Sequence, residues 1–172
     1  MTDCDCKIYA PLELDNTSIY KRIQDSKPLL KQLALLAAHP DGEQKLFRCQ
    51  VCYQLWQYSR AQLWGNNAYL FKVPDVHTED WLKSAYLSPD EIVEYNKAIR
   101  SYKKDQAFYE TGNQCKHDSC TKHAIELSVR CLQHHMQMLQ NGGTLPAQPK
   151  ERVFEPYAYN EEEVLYFTAK AV

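Results

Sequence analysis

Glycine is scarce in this chain, five among 172 residues, which leaves little room for the glycine-rich loops that cradle phosphates. Long apolar runs are missing as well. The longest, LALLAA at 33–38, is far shorter than the roughly 20 residues that cross a bilayer. Neither sign of charge dominates: the formal net charge is −2, so no global basic field draws the chain to nucleic acid or anionic lipid. The opening MTDCDCKIYAP has neither the cationic start nor the apolar core of a signal peptide. The expectation is a cytoplasmic protein whose thiols stay reduced. Catalytic signatures are also wanting, since no H-E-x-x-H, G-x-S-x-G or Walker pattern occurs. His77-Thr78-Glu79 invites comparison with the zinc deaminases, but the C-x-x-C lies upstream of it and Arg48 stands where their proline belongs.

What the chain does contain is cysteine and aromatic residues, within an ordinary apolar fraction of 44 % and charged fraction of 24 %. Seven cysteines is an odd number, and they come in tight pairs, which argues against a disulfide framework. Between Asn113 and His135 lie three of the seven cysteines and four of the six histidines. The spacing Cys115-x4-Cys120-x10-Cys131-x2-His134 supplies the three thiolates and one imidazole of a tetrahedral zinc site. His135 lies within the same helical turn of Cys131 and is the alternative fourth ligand; a helix starting near Cys131 favours His134. His117 and His123 read as exposed loop residues. Upstream, Cys49-x2-Cys52 sits where a strand turns and aims two thiolates at one centre. Cys4 and Cys6 are the remaining thiols, and they complete that second set by count. Two structural zinc sites are therefore expected, Cys4/Cys6/Cys49/Cys52 and Cys115/Cys120/Cys131/His134. The simpler reading is one distal zinc and four spare thiols.

The stretch LFRCQVCYQLWQ resembles the knuckle of zinc-ribbon proteins, with Tyr53 standing where that pattern places glycine. The distal spacing resembles treble-clef-like zinc modules, over about twenty residues. Full thiolate-rich sets of four are the pattern of closed, structural metal sites, whereas a catalytic zinc keeps one position open for water.

A helix is expected from Ser26 to Ala38, with Ser26 as cap and Pro28 in the first turn. Strands are expected between Lys45 and Val73, turning at Gly65-Asn66-Asn67. SPDE at 88–91 has the form of a capping box heading a helix that carries Ile92, Tyr95, Ile99, Tyr102 and Tyr109 to a stop at Gly112. A third helix is expected from near Ser128 or Val129 to Gln140, and VLYFTA at 164–169 as a final strand, after Glu161, Glu162 and Glu163. The fold class is α+β: a single domain with about three helices and a small antiparallel sheet, a zinc-knuckle hairpin at 45–73 and a distal zinc module at 113–140.

With catalytic motifs missing, the chain reads as a non-enzymatic binding protein. Twelve tyrosines and three tryptophans exceed what a core needs, and such side chains anchor interfaces. Residues 75–94 hold six acids and one base, so Asp75, Glu79 and Asp80 with Trp81 are the expected contact surface for a basic protein partner. An immunity-type inhibitor of a toxin domain is the specific form expected. Two zinc ions held by seven thiolates would take the formal charge from −2 to −5, because the thiolates outweigh the ions by three. That disfavours nucleic acid as the partner. The alternative is a zinc-finger regulator using Lys97, Arg100 and Lys104; a zinc- or thiol-dependent enzyme stands third.

Overall fold

The computed structural model describes residues 4–9, 15–40, 42–104, 106 and 108–154. VLYFTA and the glutamates before it lie outside the described residues. The fold is α+β, with four α-helices and a four-stranded antiparallel sheet among the described residues. Contacts gather into two compact units, Met1–Val93 with Lys150–Val172, and Glu94–Pro149.

In the first unit, α1 spans Asn16–Leu30 and is followed by strands β1 (Leu33–Ala38), β2 (Lys45–Cys49), β3 (Leu55–Ala61) and β4 (Asn67–Val73). They form a meander in the order β1-β2-β3-β4. The helix expected over 26–38 is thus two elements. Asp15 and Ser18 form the capping box of α1, and Ser26 is buried inside the helix rather than at its head. Pro28 falls in the last turn, and LALLAA continues as strand. A short apolar run suits helix and strand equally; here pairing of Leu33 with Cys49 and of Ala38 with Lys45 decides it.

Registers assign the two faces. Phe47 lies opposite Trp56, and Trp56 opposite Lys72. That face, with Leu70, packs on Leu29, Cys6 and Cys49. Leu46, Gln57 and Phe71 share the other face, whose core includes Tyr69, Trp81, Leu87 and Ile92. Helix α2, Thr78–Lys83, is anchored there through Gln57. The buried Gln57 amide accepts from the Trp81 indole (2.8 Å) and the Tyr86 N–H (3.0 Å), and donates to the Tyr86 carbonyl (2.7 Å). One polar side chain is thereby satisfied in the core. Turn chemistry at 65–66 is as expected, Gly65 (φ 74°) and Asn66 (φ 55°) both being left-handed.

Helix α3 spans Pro89–Lys104. Ser88 heads it, its carbonyl accepting from Glu91 and Ile92 N–H groups and its hydroxyl bonding the Glu91 carboxylate. The helix stops at Lys104, short of Gly112, which lies in strand β5 (Glu110–Gln114). In the second unit β5 pairs antiparallel with β6 (His123–Ile125), a hairpin the sequence did not announce, and α4 spans Leu132–Asn141. Ala124, Ile125, Met136 and Leu145 are buried in this unit.

Candidate metal centres

All seven cysteines and one histidine fall into two groups of four. Cys4, Cys6, Cys49 and Cys52 form one and Cys115, Cys120, Cys131 and His134 the other; within each group the donor atoms all lie within 4.8 Å of one another. No pair of these cysteines is joined as a disulfide.

The proximal group is built by a tight turn and a tethered N-terminal segment. Cys49 ends β2, and the chain reverses through Tyr53 N–H to Cys49 carbonyl (3.1 Å) and Cys49 N–H to Gln54 carbonyl (3.0 Å). Cys6 lies in a single 3-10 turn, Asp5–Lys7, preceded by Cys4. That segment is fastened at both ends: Gln32 Nε2 donates to Asp5 Oδ2 (3.2 Å) and Lys72 Nζ to the Tyr9 carbonyl (2.6 Å). Burial is graded, from Cys6 and Cys49 inside to Cys52 outside. Burial pushes the Cys49 thiol up, but the N–H groups of Cys52 and Val51 outweigh it and bring the pKa down to about 7. Cys6 is pushed up, first by burial and then by Cys49. A thiol so lowered is partly ionised near neutral pH, and ligation of a metal here would displace the protons from the rest.

Two cations lie over the aromatic rings beside this cluster, and one of them, Lys72, interacts with its thiols. Arg22 sits 5.9 Å and Lys72 5.6 Å from the Trp56 ring, and Arg22 is 5.7 Å from the Tyr9 ring. Burial and Arg22 lower the Lys72 pKa, while Cys6, Cys52 and Cys4 act to raise it. The buried Trp56 indole N–H meets no acceptor in hydrogen-bonding geometry among the described residues, yet it lies close enough to Cys6 to favour the thiolate. Four thiolates on one divalent ion leave a net charge of −2, and this arrangement suits such a group.

The distal group spans a hairpin and a helix start. Cys115 follows β5, its N–H bonded to the Lys122 carbonyl (2.9 Å). Cys120 closes a turn on the His117 carbonyl (3.1 Å), with Ser119 left-handed at φ 61°. Cys131 is the N-cap of α4, and His134 lies in its first turn. Metal–sulfur bonds of about 2.3 Å, as zinc makes, set tetrahedral sulfur–sulfur edges near 3.8 Å. The Cys120 and Cys131 Sγ atoms are 3.8 Å apart, and His134 Nδ1 lies 3.4 Å from both Cys115 and Cys131 Sγ. The residues fit the ion. Burial raises the Cys115 thiol, but N–H groups of Cys131 and His117, with His134, carry it down to about 6.

His134 is the histidine of the set. His135 instead turns into the second unit, with Nε2 2.8 Å from the Tyr102 hydroxyl and its ring stacked on Tyr102. His117 is exposed and stacks face to face on His134 at 3.7 Å and 8°, a contact without a sequence signal. His123 is exposed, beside Glu110.

The expected contact surface is only partly on the outside. Asp75 and Glu79 are exposed, and Asp80 is half-buried and paired with Lys83 at 3.0 Å. Trp81 is completely buried, so it is a core residue and not an interface anchor. Among the described residues no helix is long and apolar enough to cross a membrane. Comparison with protein-family models, curated proteins and solved structures yields no match to this chain.

Proposed function

We propose that this chain is a non-enzymatic, zinc-stabilised protein that works by binding another protein. The observation that carries the reading is the complete use of the cysteines: each of the seven is a donor in a four-donor set, which leaves none as a free nucleophile. Sets of four soft donors suit zinc, and such sets close off the coordination position that a catalytic zinc keeps for water. Purified without chelator, the protein should carry close to two zinc ions per chain. A content near one removes one site, and none overturns the reading.

The specific form proposed is inhibition of a basic partner, of the kind an immunity protein exerts on a toxin domain. Its support is the acidic, exposed pair Asp75 and Glu79 beside α2. A tagged chain should recover one basic protein from its own cells. The double reversal Asp75→Lys and Glu79→Lys should abolish that recovery with zinc content intact, since rim charges steer association. Equal recovery by the variant retires this surface.

A second reading has its own observation. Lys97, Arg100 and Lys104 are all exposed on α3 at helical spacing. Salt-sensitive retention on DNA, lost when the three are reversed, would favour a nucleic-acid regulator.

A further inference from the structure

β1 is the longest apolar run in the sequence; Leu33, Leu36 and Ala37 pack against the core, yet among the described residues its outer edge and Leu35 are left open. None of its six residues is buried; four are half-buried, Ala38 is exposed, and Leu35 is 56 % exposed. Among the described residues it is also the end strand of the sheet, paired on one side only, with β2. The opposite end is treated differently. There α1 packs on β4, and the Leu70 N–H is taken by Ser26 Oγ at 2.7 Å. Among the described residues, no hydrogen bond from outside the sheet reaches residues 33–38. Open edges are normally blunted by charge, proline or shortness. LALLAA has no charge and no proline, and its one protective feature is the register shift between Leu35 and Ala37.

We propose that β1 joins two copies of this chain, edge to edge and antiparallel, across a twofold axis near Leu35. A twofold contact requires a surface complementary to itself, and β1 meets that condition. An uncharged strand laid against its own copy places no like charges opposite one another. The antiparallel sense brings the Lys31 end of one strand to the turn carrying Glu43 on the other, and both residues are exposed. Opposite charges therefore meet at both ends of the pair. The exposed Leu35 side chains face each other at the axis and lose water together. The result is one sheet continuous through eight strands, in which the free edge of each copy is consumed by the other.

The test is the mass of the intact chain in solution, measured by light scattering and sedimentation across a concentration series. The wild type should be a dimer. Leu35→Lys and Leu35→Glu each set two like charges across the axis, and each should weaken the dimer roughly tenfold or more, a factor that corresponds to about 1.4 kcal/mol. Because Leu35 is exposed, both variants should keep the wild-type circular dichroism and zinc content, and their melting temperature should fall only by what loss of the dimer removes. Mixing the two variants should restore a mixed dimer, an outcome that general destabilisation does not produce. A wild type that stays monomeric up to its solubility limit overturns the proposal. A dimer insensitive to both substitutions does so too, by placing the contact elsewhere. A monomer that dimerises only after removal of residues 155–172 overturns it by assigning the edge to the chain's own C-terminal segment.

Discussion

Tyr53 holds a left-handed backbone (φ 62°) while its side chain is 67 % exposed. A bulky residue there costs about 1–2 kcal/mol relative to the right-handed form, and an exposed ring returns little through burial. Its described contact is the Arg48 guanidinium, 5.7 Å from the ring centre. Tyr53→Gly should therefore leave stability unchanged or raise it by up to about 1 kcal/mol, read from the denaturant midpoint with zinc content held constant. A clear loss would show that the ring packs more than its exposure implies. Trp81 is the opposite case. With its ring fully buried and its N–H on Gln57, Trp81→Ala should cost about 3–5 kcal/mol of folding stability, rather than acting on partner affinity. Asp90 is buried and bonded to the Tyr69 hydroxyl. Burial raises its pKa despite that donor, so the folded state prefers the proton. Stability from the neutral carboxyl is present below the ordinary Asp range and lost as pH rises through the raised value. Comparing wild type with Asp90→Asn by chemical denaturation, the wild type should gain relative to the variant as pH falls from neutral. A constant difference would mean Asp90 titrates normally.

At the scale of elements, the two metal-binding motifs draw on different support. The distal one is assembled by β5, β6 and the first turn of α4, all within Glu94–Pro149. Ligation free energy in such small modules is folding free energy. Cys131→Ser removes a donor while leaving a good capping residue at the N-cap of α4, so its effect reports the lost ligand. It should release one zinc per chain and expose the amides of 108–145 to fast hydrogen exchange, while the protection of β2, β3 and β4 persists. Uniform loss of protection would show that the two units do not hold their structure separately. The proximal motif instead ties a 3-10 turn to a β-turn. Removing residues 1–6 should halve the zinc and lower the melting temperature, because Gln32 loses Asp5 and Trp56 loses Cys6 from the segment they hold. Unchanged zinc and melting would show Cys4 and Cys6 to be free thiols. Legibility at this scale followed locality. The head of α3, the strands from 45 to 73 and the turn at Gly65 are each specified by a few adjacent residues. The α1–β1 boundary was not legible, since six apolar residues carry no period of their own and only pairing with β2 makes them strand. The short β5–β6 hairpin was equally hidden, its residues ETGNQ having little strand propensity.

At the scale of the whole molecule, the sequence by itself determined the donors. Cysteine has few other uses in such tight pairs, and the spacings Cys49-x2-Cys52 and Cys115-x4-Cys120 allow convergence over a single turn. Counting the remainder then pointed to Cys4 and Cys6, which the structure brings to Cys49 and Cys52 across more than forty residues of chain. The α+β class followed as well, from helix-heading and strand-forming residues that act locally. Tertiary structure alone decided what surrounds and what covers those elements. It placed Lys72 beside the proximal thiols and Arg22 over the Trp56 ring, chose His134 over His135 by turning the latter onto Tyr102, sank Trp81 into the core, and left β1 at an open edge among the described residues. Each of these depends on contacts between residues distant in the chain. No periodicity or spacing encodes such contacts, because burial is a property of the packed sheet and helices rather than of the residue that is buried.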